Sequence, residues 1–125
     1  MNRNELNELS GRIIGLAIKV HKNLGSGFIE KIYEKALIAE FEKNNINYAK
    51  QKSINVLYSD IEIEGQRIDL LVEDEIILEL KAVTFINKLF QSQLLSYLKA
   101  VDKRLGLILN FSKKKLEIKR IVNNF

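Results

Sequence analysis

The sequence predicts an α/β domain, with two amphipathic helices in front, then strands, a third helix and two closing strands, and three features of its 125 residues predict it. Apolar positions step by three and four as far as Lys43, change to a strand period from Ile46, and return to helical spacing over Asn87 to Val101. Leu105 to Phe111 is a nearly unbroken apolar run, the mark of a strand covered on both faces. Hydrophobic residues make up 46% of the chain, with six glycines and no proline, which suits one core in a single domain over 1–125 and leaves little for linkers or a flexible tail.

Each element follows from its own pattern. Leu6, Leu9, Ile13, Leu16 and Val20 define a first helix of roughly Glu5 to Lys22, ended by Asn23-Leu24-Gly25-Ser26-Gly27. A second helix is expected from about Phe28 to Lys43, with Ile29, Ile32, Tyr33, Ala36, Leu37 and Phe41 inward and Asn44-Asn45 as the stop. Ile54, Val56 and Tyr58, then Ile61 and Ile63, alternate as strands around Ser59-Asp60, with Gly65 marking a further break. Gln66 to Val72 and Ile76 to Val83 flank Glu73-Asp74-Glu75 as a hairpin. The third helix should bury Ile86, Leu89, Phe90, Leu94, Tyr97, Leu98 and Val101, and Leu116, Ile118 and Ile121 should form an edge strand.

The hairpin carries the chemistry. Asp69 precedes it and Glu79-Leu80-Lys81 closes it, a pattern suited to metal-dependent phosphodiester cleavage. Two carboxylates can hold a hard divalent cation through oxygen, while a neighbouring lysine can orient or deprotonate water and offset phosphate charge. An odd-length turn at Glu73-Asp74-Glu75 would place Asp69 opposite Glu79 and on the same face, whereas a two-residue turn would pair it with Leu78. Glu79 and Lys81 share a face with either turn, and Leu80 points away. The alternative is an exposed hairpin with alternating charges, which the flanking Ile76, Ile77, Leu78, Leu80, Ala82 and Val83 disfavour.

Other residues have two readings. Gln93 falls within the apolar stripe of the third helix, so a polar partner should meet its amide, and Tyr97 lies one turn on. Such a pair is most often structural. With Gly27 as N-cap, Glu30 would be the third helical residue, where it can bond back to the backbone or project toward the sheet as a further acid. Tyr33, on the same face, is a core residue or a positioning hydroxyl, and His21 is a packed or surface histidine before it is a ligand.

The net charge of +4 is unevenly spread, with +6 from Lys99 onward and −2 before it. A basic end beside an acidic centre suits a polyanion such as nucleic acid, and Lys113-Lys114-Lys115 is a candidate contact for it or a solvated edge. The absence of cysteine excludes disulfides, thiolate metal sites and cysteine nucleophiles, and a single histidine disfavours zinc. Neither a signal peptide nor a membrane span is expected, so the protein should be soluble and cytoplasmic, with no membrane partner.

Gly27-x-x-Glu30-x-x-Tyr33, Asp69, Glu79-x-Lys81 and Gln93-x-x-x-Tyr97, taken in order, resemble the small bacterial and archaeal GxxExxY proteins of the PD-(D/E)XK nuclease superfamily. The similarity spans roughly His21 to Asn123 and includes the His-Lys-Asn-Leu-Gly-Ser-Gly stretch from His21 and Leu-Ile-Leu-Asn-Phe from Leu107. It implies a restriction-endonuclease-like core, a central mixed sheet flanked by helices. It also implies that Asp69 and Glu79, with the backbone carbonyl of Leu80, ligate Mg²⁺ or Mn²⁺, that Lys81 positions the water, and that Glu30 supplies an acid from an early helix. Gln93 and Tyr97 match the QxxxY element of RecB-like and lambda-exonuclease-like members, which supports the site and contacts nucleic acid. One departure is Ile68, where the superfamily's name has proline. The resulting expectation is a nuclease acting on DNA; small nucleases of this type often act as homodimers, and nothing in the sequence identifies a dimer surface. The rival is a non-catalytic nucleic-acid-binding or protein-interaction module that keeps the fold.

Overall fold

A computed structural model describes residues 1–125. In chain order the elements are α1 (Arg3–Leu24), α2 (Glu30–Lys43), β1 (Tyr48–Tyr58), β2 (Ile61–Val72), β3 (Ile76–Lys81), α3 (Lys88–Val101), β4 (Leu105–Asn110) and β5 (Glu117–Val122). The five strands form one mixed sheet in sequence order. Only β3 and β4 run parallel, with α3 as the crossover between them, and every other neighbouring pair is antiparallel.

Helices cover both faces. On one side Leu6, Leu9, Ile13 and Ala17 of α1 and Tyr33, Leu37 and Phe41 of α2 pack on Leu70, Val72, Ile76, Leu78 and Leu80 and on Leu105, Leu107 and Leu109. On the other, Leu94, Tyr97 and Leu98 of α3 meet Ile54, Ile68, Leu71, Ile77 and Ile108. Every residue of β4 is buried, as its continuous apolar run requires. Gly106 lets α3 approach, since a Cβ there would lie 2.9 Å from the Leu94 side chain.

Several boundaries differ from the sequence reading. α2 begins at Glu30 rather than Phe28, with Ile29 as a cap residue that makes no side-chain cap bond. The Tyr33 hydroxyl holds the preceding loop out of the helix, donating to the Gly25 carbonyl at 2.6 Å and accepting from the Phe28 N–H at 3.2 Å. Gly27, at φ 116°, has a conformation no helix can use. Glu30 is therefore the first helical residue, and Ile29 and Ile32 are exposed instead of inward. β2 passes through Gly65 without ending. The register pairs Ile54 with Gln66 but Asn55 with Glu64, so Gly65 is the extra residue of a bulge.

The far half of the β1–β2 hairpin is exposed. Val56 pairs with Ile63 and Tyr58 with Ile61, so these four apolar side chains share one face.

Candidate active site

The hairpin joining β2 to β3 has the odd-turn register, pairing Val72 with Ile76, Leu71 with Ile77 and Leu70 with Leu78. One step further, side chains take over from the ladder. The Asp69 N–H donates to Glu79 Oε2 at 2.9 Å, and the Leu80 N–H donates to Asp69 Oδ2 at 2.8 Å. Each carboxylate is thus pinned by the backbone beside the other. Leu80 points into the core under α1 and α2, so Glu79 and Lys81 face the α3 side.

Asp69 also sits where strand alternation fails. Ile68 and Leu70, two residues apart, lie in opposite cores. The register pairs Lys50 with Leu70 and Lys52 with Ile68, which leaves Gln51 facing Asp69, and Gln51 has a left-handed φ of 51°. Such a conformation is uncommon outside glycine and marks a local break in the strand. Asp69 thereby reaches the α2 side, not the face of Glu79 and Lys81 that the odd turn predicts, and shares a cleft there with Glu30, Glu34 and Gln51.

Burial sets the electrostatics. Glu79 is 6% exposed, and its carboxyl is pushed up to about 7 by burial and then by Asp69, against the opposing effects of the Asp69 N–H and Lys81. Burial also raises Asp69, countered by the Leu80 N–H, by Lys81 and by Gln51. Tyr97 is raised by burial and then by Glu79 and Asp69, which places its ring within the field of both acids. Removing like charges from water in so small a space disfavours ionising both, and a cation reverses that preference.

The donor set fits a hard cation. Asp69 Oδ2 and Glu79 Oε2 are engaged by backbone N–H groups, leaving the second oxygen of each outside that exchange. No group of three or more His, Asp or Glu side chains is gathered to cage an ion. A cation held here would rest on two carboxylates, backbone oxygen and water, the kind of coordination Mg²⁺ accepts because it keeps several waters.

The surrounding residues are placed as follows. Glu30 Oε1 accepts the Ala82 N–H at 3.3 Å, which brings the start of α2 to the exit of β3. Lys81 Nζ lies 4.5 Å from the Phe90 ring centroid. The Tyr97 hydroxyl donates to Gln66 Oε1 at 2.6 Å. Tyr33 is buried, stacked on Phe111 at 4.4 Å, with its hydroxyl spent on the α1–α2 loop, so it supports Glu30 from behind. Gln93 is half-buried and makes no hydrogen bond within the chain, contrary to the expectation of a buried amide with a partner. The stripe is narrower than its spacing suggests: Leu89 is 72% exposed, and solvent reaches the first turns of α3. Lys113, Lys114 and Lys115 lie in the β4–β5 loop, where the Lys113 carbonyl meets His21 Nε2 at 2.8 Å and Lys114 and Lys115 share a cleft with Lys22.

Sequence reasoning missed Asn110, Glu34 and Gln51. Asn110 is wholly buried; its Oδ1 accepts from the Val83 and Ser112 N–H groups, and its Nδ2 donates to the Val83 carbonyl and to Glu117. It clamps the chain as it leaves Lys81. Its signal was visible as the one polar residue inside the Leu105 to Phe111 run. Glu34, whose carboxyl is raised by burial and by Asp69, stands one turn after Glu30 on the same face. Gln51 carried no signal, because its role comes from a backbone break.

A family model described as the PD-(D/E)XK nuclease superfamily matches residues 7–121. The chain belongs to the PD-(D/E)XK nuclease superfamily. Its fold is the α/β restriction-endonuclease-like core of that superfamily. Among solved structures it resembles the crystal structure of SSO0001, with a TM-score of 0.57 at 17% identity, over 76% of this chain and 50% of that one. This PD-(D/E)XK chain therefore spans half the length of that protein. No curated protein matches it. No helix is long and apolar enough to cross a membrane.

Proposed function

We infer that this PD-(D/E)XK chain is a divalent-metal-dependent nuclease that hydrolyses phosphodiester bonds in DNA, and that it is one of the GxxExxY proteins its motifs resemble. One observation carries the reading: half-buried Asp69 of β2 and buried Glu79 of β3 meet side by side, each fixed by a backbone N–H and neither in an ion pair, with Lys81 on the same strand face as Glu79.

Asp69, Glu79 and the Leu80 carbonyl would hold Mg²⁺ or Mn²⁺. When bound, such an ion lowers the pKa of water and neutralises charge building on the phosphate. Lys81 donates to the attacking water or to a non-bridging phosphate oxygen, and Phe90 beneath it restricts where the ammonium can go. Water attacks phosphorus and gives up a proton to solvent, the bond to the leaving sugar oxygen breaks, and that oxygen takes a proton from solvent. Glu30 braces the Ala82 N–H and keeps the lysine's strand end in place. Gln93 stands on α3 beyond Lys81, half-buried and without a partner in the chain, where it can meet the substrate, while buried Tyr97, its hydroxyl on Gln66, supports the site from within.

The test is incubation of single- and double-stranded DNA and RNA with the protein in Mg²⁺, Mn²⁺ or EDTA, alongside calorimetric titration of each metal. Metal-dependent cleavage of DNA that is lost in Glu79→Gln is the expected result. Absence of cleavage of every substrate with both metals would hand the chain to the non-catalytic reading.

A further inference from the structure

We propose that the cleft between α2 and β1 takes the phosphate backbone of an unpaired nucleic-acid strand and leads it to Asp69. The inference rests on the nuclease reading and names the form of substrate that site would take.

The cleft has a volume of about 440 Å³ and is walled by Lys31 and Lys35 of α2 and by Lys50 of β1, with Glu34, Gln51 and Asp69 at its inner side. Lys31 and Lys35 are one turn apart on the same helix face, and Lys50 opposes them from the sheet. None of the three is in an ion pair, although Glu30 and Glu34 stand on the same helix; the molecule's ion pairs are Met1 with Glu75, Lys19 with Glu40 and Lys103 with Asp74. Their charges are therefore available to a ligand. A phosphate approaching Asp69 and Glu79 meets like charge, and cations on both sides of its path offset that repulsion.

Two features favour an unpaired strand. A space of this volume is on the scale of a small-molecule site, room for about a nucleotide or two and not for a duplex with two backbones. Next to it lies a second recess that shares Glu30 and Lys31 and is lined by Ile29 and Ala82, with Phe28 and Phe85 exposed on the flanking segments. Three ammonium groups outside any ion pair, with Glu30, Glu34 and Asp69 between them and exposed aromatic and apolar side chains alongside, offer phosphate contacts next to a surface on which unpaired bases stack. Lys113, Lys114 and Lys115 do not line this cleft.

The experiment measures fluorescence anisotropy of short labelled oligothymidylate, oligouridylate and a DNA duplex against salt, in an Asp69→Asn background that prevents cleavage. Combined Lys31→Ser, Lys35→Ser and Lys50→Ser substitution should flatten the dependence of log affinity on log salt by about 2 for single strands, since each lost phosphate contact removes about 0.7. DNA and RNA strands should lose affinity equally, the melting temperature should hold, and Lys113→Ser, Lys114→Ser and Lys115→Ser should leave the slope in place. Intact binding with an unchanged slope, a loss confined to DNA or RNA, or tighter binding of the duplex than of the single strand each overturns the proposal. If the wild-type protein still cleaves DNA in any of those cases, the nuclease reading stands without it; if the wild-type protein neither binds nor cleaves, both fall.

Discussion

Two parts of one hairpin each carry three charged residues and treat them in opposite ways. At the turn, Glu75 pairs with the N-terminal ammonium at 3.2 Å, Asp74 with Lys103 at 3.4 Å, and Glu73 accepts the Asn47 N–H at 3.1 Å. A few residues away, Asp69, Glu79 and Lys81 are in no ion pair; Glu79 is buried and Asp69 half-buried, and each acid is held by a backbone N–H group. The turn satisfies its charges with counter-charges at the surface, a modest stabilisation. The other end keeps Glu79 buried and Asp69 half-buried with Lys81 near both but no ion pair formed, which costs stability and leaves room for a cation and a phosphate.

The sharpest way to break that contrast is to neutralise each end. Asp69→Asn and Glu79→Gln keep an acceptor for the backbone N–H groups and remove the charge; cleavage should fall on the order of 10³-fold or more. Apo melting temperature should hold or rise. A large drop in melting temperature without metal would mean that the acids hold the fold together, as the turn's charges do. Lys81→Ala should retain the calorimetric metal signal and lose turnover to a similar extent.

The pH dependence separates the ends next. Because the folded state raises Glu79 from 4.5 to about 7, it holds that proton more tightly than the unfolded chain does. The corresponding stability is complete below about pH 4.5 and is lost as pH rises through 7, on the order of 3 kcal/mol at 1.36 kcal/mol per unit. Urea unfolding in EDTA should therefore show a less stable protein at pH 8 than at pH 5, with Mg²⁺ restoring stability at pH 8 and Glu79→Gln flattening the profile. A profile that is already flat in the wild-type protein contradicts the buried pair.

A smaller effect is expected on α3. Gln93→Leu should change stability little, since the amide has no partner in the chain to lose, while cleavage drops about tenfold, the usual scale for a supporting residue. Unaltered kinetics would make the match to a QxxxY element coincidental. Smallest of all, Asp74→Asn at the turn should shift stability by less than about 1 kcal/mol and leave cleavage untouched.

Much of this arrangement was legible in the residues. Three residues between Val72 and Ile76 make an odd turn, and that parity sets the register that brings Asp69 beside Glu79, although not the face on which Asp69 ends. The buried β4 and the edge strand β5 followed from hydrophobic continuity and its loss. What escaped has a common cause: it depends on backbone events that periodicity does not encode. The break at Gln51 and Asp69, the bulge at Gly65 and the Tyr33 bonds that delay α2 to Glu30 each shift a side chain by one position. The break at Gln51 and Asp69 is the one that turns Asp69 into the cleft lined by Lys31, Lys35 and Lys50.

The Asn110 clamp bears on how the molecule ages. Its side chain must donate on one atom, to the Val83 carbonyl and Glu117, and accept on the other, from the Val83 and Ser112 N–H groups. Aspartate is nearly the same shape but has only acceptors, so spontaneous deamidation at this position would set a new anion against a carbonyl and a carboxylate inside the core. Phe111, whose N–H bonds the Lys81 carbonyl at 2.9 Å, is the next residue in the chain. The place of the Lys81 strand end thereby depends on a neutral amide that carries no charge of the site itself.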